Sequence, residues 1–139
     1  MSRRFEIRMA EPRDSAALIK LIDQTPQDGQ VRLNFERNPD FFYATHVTTT
    51  APEIWVMIDI KNNVLLASFS IGTREVFVNG KARVTRYGND LRIHKDYRGG
   101  RTLISLFKKY REVMQNEWMQ TVILDDNKAY INSVGSGRL

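Results

Sequence analysis

Cysteine is absent from the 139 residues, which removes disulfide pairing, thiolate nucleophiles and thiolate metal ligands together. Histidine is nearly absent as well. His46 and His94 are the only two, too few for the usual zinc ligand sets, so no metal site is expected. No apolar run approaches the roughly 20 residues that a helix needs to cross a bilayer. The opening Met-Ser-Arg-Arg-Phe-Glu-Ile-Arg is basic but has no apolar stretch of the signal-peptide kind, and the cytoplasm is the expected location. Internal repeats, low-complexity tracts and linkers are missing too. What is left has an ordinary globular composition, 42% apolar and 27% charged. Its length suits one domain with a buried core, and residues 1–139 are read as that single domain.

The net charge of +5 is not spread evenly. Residues 81–101 hold seven basic side chains (Lys81, Arg83, Arg86, Arg92, Lys95, Arg98, Arg101) against Asp90 and Asp96. The remainder balances, with 14 basic and 14 acidic residues. A local excess of this kind suits a polyanionic ligand, and equally a solvated basic strand face. Charge alone does not choose between them.

Alternation of Phe5, Ile7 and Met9 with polar neighbours predicts a strand over residues 5–10. Pro12 suits the first position of a helix and Asp14 its positive end; Leu18, Leu21 and Ile22 form the apolar stripe, which ends before Thr25. Residues 25–38 show no period, and Phe41, Phe42 and Tyr43 predict a short docked helix. A strand is predicted over residues 53–60, with Ile54, Val56, Ile58 and Ile60 on one face, and a second over Val64–Val78. Asn79-Gly80 is a strong hairpin signal because both central turn positions need positive φ. A third strand runs from Lys81 to Ile93, interrupted at Gly88 by a bulge or by close approach of a ligand. Leu103, Phe107, Tyr110, Met114 and Trp118 then recur at helical spacing, a short strand is predicted over 121–124, and a last helix over 128–134. Trp55 and Trp118 are read as core, and Tyr87 as cross-strand packing rather than the wall of an acceptor pocket.

Between the third strand and the following helix lies Arg98-Gly99-Gly100-Arg101-Thr102. Unpaired first-turn amides and the positive end of the helix dipole meet there, making an anion site. Gly99 and Gly100 admit close backbone approach, and Arg98 and Arg101 add charge-assisted hydrogen bonds. A pyrophosphate is the natural guest. Neither a Gly-Lys-Ser/Thr loop nor Gly-x-Gly-x-x-Gly is present.

In this segment, Asp90-Leu91-Arg92-Ile93-His94-Lys95-Asp96-Tyr97-Arg98-Gly99 resembles the strand-to-loop run of the GNAT N-acetyltransferase superfamily, which often reads hydrophobic–His–Pro–x–Tyr–Arg–Gly. Ile123-Leu124-Asp125-Asp126-Asn127-Lys128-Ala129 resembles that family's later strand and Asn-led helix, and the element order agrees from residue 5 to about 135. The resemblance implies an α/β (α+β) fold, a mixed and mostly antiparallel twisted sheet flanked by helices. It implies acetyl-CoA as cosubstrate and an amine of a small molecule or peptide as acceptor, joined by direct attack. The backbone of Leu91 and Ile93 would pair with the pantetheine arm. The amides of Gly99, Gly100, Arg101, Thr102 and Leu103 would hold the pyrophosphate, and Asn127 would lie beside the arm or the acceptor. His94 falls at a position that is usually structural.

The sequence also departs from the family. Arg101 and Leu103 stand where small residues are usual, and Val134 stands where a Tyr general acid is common, with Ser133 beside it and Tyr130 nearly a turn too early. The chain ends at Leu139, before the family's final strand pair, so that an open edge at Val122, Ile123 and Leu124 would be covered by a second copy or a further domain. Asp90 is a candidate to relay a proton through water, with partnership to Arg92 or Arg86 as the plainer alternative. Two other functions stay open. One is a silent CoA-binding or regulatory domain. The other is a basic nucleic-acid module, which the scarcity of interleaved aromatics (only Tyr87 and Tyr97) disfavours.

Overall fold

A computed structural model describes residues 4–27, 30–98, 100–124, 127–128 and 132. Strand β1 (Phe5–Met9) leads through a 3-10 turn at Pro12–Asp14 into helix α1 (Ser15–Gln24). Helix α2 (Phe41–Thr48) precedes three long strands, β2 (Thr50–Asp59), β3 (Val64–Val78) and β4 (Lys81–Ile93). A 3-10 turn at Lys95–Tyr97, helix α3 (Gly100–Met114) and the two-residue β5 (Met119–Gln120) complete the described elements. The sheet order is β1-β2-β3-β4-β5; β1 to β4 pair antiparallel, and β5 lies parallel to β4.

Helices cover both faces of this sheet. Leu18, Leu21 and Ile22 of α1 and Phe41 of α2 pack on Ile54, Val56, Ile58 and Leu65. On the other face, Leu106 of α3 packs on Met57, Leu66, Ala67, Phe69 and Ile71. Burial on two faces takes in the whole of residues 65–71 of β3, including Ser68 and Ser70, which alternate with Ala67, Phe69 and Ile71. The local signals hold where they are strongest. Asn79 and Gly80 take φ of 51° and 76°, the positive pair that the β3–β4 turn requires. The Asp40 carboxylate caps α2 by accepting from the amides of Phe42 and Tyr43. Asp14 accepts from the Glu11 amide at 2.7 Å and from the Arg8 guanidinium at 2.7 and 3.1 Å, tying the start of α1 to β1.

Several expectations are corrected. Ile60 lies just past the end of β2, in the turn, and is exposed. Trp118 follows the end of α3 and is 91% exposed; Leu106, absent from the expected stripe, is the fully buried residue of that helix. Trp55 does pack inward, stacked on Phe69 at 6.4 Å. The last strand is Met119–Gln120 rather than 121–124, and of the next residues Thr121 keeps only a side-chain bond, Oγ1 to the Gly88 carbonyl at 2.8 Å.

The bulge in β4 is not at Gly88. Ser70 pairs with Asn89 and Ser68 with Arg92, so Phe69 faces two residues, Asp90 and Leu91, and Asp90 takes φ of 53°. Gly88 instead admits the chain's own side chains: a Cβ there would collide with Tyr110 Oη and lie 2.8 Å from Met119 Sδ. The expected last helix, 128–134, falls largely on residues outside those described, as do Tyr130, Ser133 and Val134.

Candidate functional site

Parallel pairing between β4 and β5 covers only Arg86–Met119 and Tyr87–Gln120. Beyond Tyr87 the strand pairing stops, with the Thr121 hydroxyl still donating to the Gly88 carbonyl, and the bulge of β4 follows at Asp90. The stretch 89–93 therefore pairs with β3 on one side and with no strand on the other among the described residues. The His94 amide donates to the Leu66 carbonyl, which fixes the alternation of the ladder. By that alternation the N–H and C=O of Ile93 point away from β3, into the opening. The Ile93 carbonyl accepts from Arg98 Nε at 3.3 Å, and the Leu91 carbonyl accepts from Arg92 Nη1 at 2.9 Å.

Just beyond the open edge, His94 Nδ1 accepts from the Asp96 amide and caps the 3-10 turn, with Tyr97 edge-on to its ring at 5.7 Å. His94 thus has a structural place. Helix α3 begins at Gly100, and the first-turn amides of Gly100, Arg101, Thr102 and Leu103 lack intrahelical partners by the geometry of any helix start. Arg98 and Arg101 are exposed at this end, Thr102 is buried and Leu103 half-buried. Gly99 lies outside the described residues. The Asn127 amide donates to the Leu124 carbonyl at 3.0 Å, and its side chain is half-buried.

The structure divides the basic stretch. Lys81 and Arg83 sit at the hairpin end of β4, about 30 Å along the strand from Arg92. Arg86 is tied to Glu117 at 2.6 Å and to the Val113 carbonyl, fastening the end of α3 to the sheet. Only Arg92, Lys95, Arg98 and Arg101 lie at the open end.

A buried polar cluster occupies the face of β4 opposite α3. Asp90 accepts from Arg37 Nη2 on both oxygens at 3.1 Å, and from Asn89 Nδ2 at 3.2 Å. Its hydrogen-bonded partner is therefore Arg37, 53 positions earlier in the aperiodic stretch before α2, and not Arg86, which is tied to Glu117; Arg92 interacts with it through charge. Arg92 and Arg37 both direct their guanidinium groups at the Phe35 ring, at 6.0 and 5.6 Å. Burial pulls the pKa of Arg92 below its ordinary value; Asp90 opposes the shift and Arg37 adds to it, while the guanidinium keeps its charge. Ser68 Oγ reaches the Asp90 carbonyl. Neither Arg37 nor Phe35 was marked by any sequence signal, since Arg37 looks no different from Arg32 in a stretch without a period. Tyr87 is buried, with Arg74 stacked over its ring at 3.6 Å, a cross-strand contact. Among the described residues no group of His, Asp and Glu could hold a metal ion, and no helix is long and apolar enough to cross a membrane.

No family model matches this sequence, and no curated protein matches it significantly. Solved structures do match over nearly the whole chain. An acetyltransferase of Trypanosoma brucei superposes with a TM-score of 0.64 at 19% identity, over 97% of this chain and 92% of that one. Glucosamine-6-phosphate N-acetyltransferase of Arabidopsis thaliana gives 0.61 at 18% identity, over 96% and 91%. A predicted acetyltransferase of Clostridium acetobutylicum, solved with acetyl-CoA, gives 0.63 at 13% identity, over 94% and 88%. The chain has the fold of the GNAT acetyltransferases, a mixed and mostly antiparallel five-stranded sheet flanked by three helices.

Proposed function

We propose that this chain is an N-acetyltransferase that moves the acetyl group of acetyl-CoA to an amine by direct attack. The observation that carries this reading is the parting of β4 from β5, which leaves the 89–93 edge open beside the cationic start of α3. An extended amide-bearing arm fits such an edge as an added strand, pairing with the outward N–H and C=O of Ile93 and with the backbone of Leu91. Its pyrophosphate then falls at the amides of 99–103, with Arg98 and Arg101 as counter-charges. Arg98, which donates to the Ile93 carbonyl, releases that carbonyl to the arm and turns to the phosphates. Asn127, whose amide donates to the Leu124 carbonyl, would lie beside the arm or the acceptor.

In the reaction the ammonium first gives one proton to water; the free amine attacks the thioester carbonyl, the N–C bond forms and the C–S bond breaks, and the second proton shed by the nitrogen ends, through water, on the departing thiolate, which leaves as the thiol. The chain's part is to align the two reactants and to donate a backbone N–H to the carbonyl oxygen. Asp90 enters as the counter-ion that holds Arg37 and the bulge. Both of its oxygens are engaged by the Arg37 guanidinium.

Titration calorimetry with acetyl-CoA tests this, comparing the native chain with Arg98→Ala/Gly100→Val. Removal of one guanidinium and crowding of the loop should weaken binding by tenfold or more, roughly the worth of one charge-assisted hydrogen bond. Equal heats for both proteins would sink the assignment. Release of free thiol with a panel of amines then separates a catalyst from a silent binder.

A further inference from the structure

The polar cluster on β4 has more hydrogen-bonding capacity than the chain uses. Arg37 and Arg92 are 9% and 7% exposed, and Nε of each is buried without a partner among the described residues. Ser70 Oγ and Asn89 Oδ1 are buried and unpartnered in the same way, and these two residues face each other across the β3–β4 ladder. Buried polar atoms are nearly always satisfied, by protein, water or ligand. Water can serve Ser70 and Asn89. It cannot neutralise two guanidinium groups that share one carboxylate, Asp90, and so carry a net positive charge.

Position gives that charge its meaning. Arg92 stands between Leu91 and Ile93, whose backbones line the opening, while its side chain lies on the face away from α3. An anion on Arg92 would sit directly beside the open edge, with the cluster behind it. We infer that the acceptor is a small amine bearing an anionic group, a carboxylate or a phosphate, which Arg92 and Arg37 hold while the amine reaches the opening. This rests on the acetyl-transfer reading above. It disfavours polyamines and other polycationic acceptors, which would meet a buried positive charge.

The test has two arms. In the first, inorganic phosphate and acetate are titrated into the full chain and into Arg92→Met, with chloride at matched ionic strength as control, and thermal midpoints are read. At least one of the two anions should raise the midpoint of the native chain above the chloride control and leave that of Arg92→Met unmoved. Arg92→Lys, which keeps the charge without the fork, serves if Arg92→Met does not fold, and should respond less than the native chain. In the second arm, acetyl transfer to glycine is compared with glycinamide, and to phosphoethanolamine with ethanolamine. The charged member of one pair should be favoured in kcat/KM by about tenfold or more, and that pair identifies the anion. The preference should fall in the Arg92 variant mainly through KM. Preference for the neutral member of both pairs, or an unchanged ratio in the variant, overturns the inference. Failure to bind acetyl-CoA or to acetylate any amine overturns the reaction itself, and the first arm still decides separately whether the cluster is an anion site.

Discussion

Replacing Asp90 by Asn probes the most consequential long-range contact in the molecule. The Arg37–Asp90 pair is almost fully buried, with side chains 10% and 4% exposed. At a charge separation of about 4 Å and an effective dielectric near 20, its attraction is about 4 kcal/mol. Removing the carboxylate leaves Arg37 and Arg92 together without a counter-charge, so the cluster goes from a net charge of +1 to +2 (two guanidinium groups and no carboxylate). Uncompensated buried charge of this kind costs about 3–5 kcal/mol, a large part of the roughly 5–15 kcal/mol that holds a domain folded. Arg37→Met acts differently. Arg92 remains to balance Asp90, the cluster becomes neutral, and about 1–3 kcal/mol is expected, the price of one poorly satisfied buried group. Urea unfolding distinguishes the two. Asp90→Asn should lower the midpoint by about 2 M at an unchanged slope, and Arg37→Met by about half of that. The double variant Asp90→Asn/Arg92→Met, which restores the net charge of +1, should recover part of the loss. The reasoning fails if Asp90→Asn costs under about 1 kcal/mol, as an exposed pair would, or if Arg37→Met is the worse of the two.

Two further outcomes follow from particular contacts. Gly88→Ala should destabilise by about 1–3 kcal/mol through overpacking, because the new methyl meets the end of the Tyr110 ring, itself edge-on to Phe69 at 5.1 Å; pairing this variant with Tyr110→Phe, which removes the colliding hydroxyl, should recover part of the loss in a denaturation series, and no recovery would locate the strain elsewhere. The Arg8 hydrogen bonds hold the pKa of Asp14 below its ordinary value of 3.8, against desolvation and with help from the Glu11 amide. A depressed folded pKa gives stability that is present above the unfolded pKa and is lost as pH falls through the folded one. The difference in stability between native chain and Asp14→Asn should therefore be largest near neutral pH and shrink below 3.8; a difference that stays constant down to pH 2 would contradict the pairing.

What the sequence determined by itself is what depends on neighbours a few residues apart. The β3–β4 hairpin could be placed to the residue, because positive φ at Asn79-Gly80 is a local steric matter and a long strand rich in apolar and β-branched residues leads into it. The α1 stripe of Leu18, Leu21 and Ile22 is similarly a property of helical period. The cationic glycine turn at the start of α3 could be picked out as a candidate anion site, because dipole and free amides come with any helix start.

Tertiary structure decided the rest. Gly88 looked like the interruption of β4, yet the bulge fell at Asp90, where the register against β3 and a buried ion pair hold an Asp at positive φ. Gly88 proved necessary for a different reason, the approach of Tyr110 and Met119 from α3 and β5. Trp118 continued the helical spacing on paper, but α3 ends at Met114 and leaves it in solvent. Above all, Arg37 became the partner of Asp90 only when the segment before α2 was laid across β4, 53 residues away in sequence. Periodicity reports which face a residue shares with its chain neighbours; it carries no information about which charge will stand opposite once two distant segments are brought together.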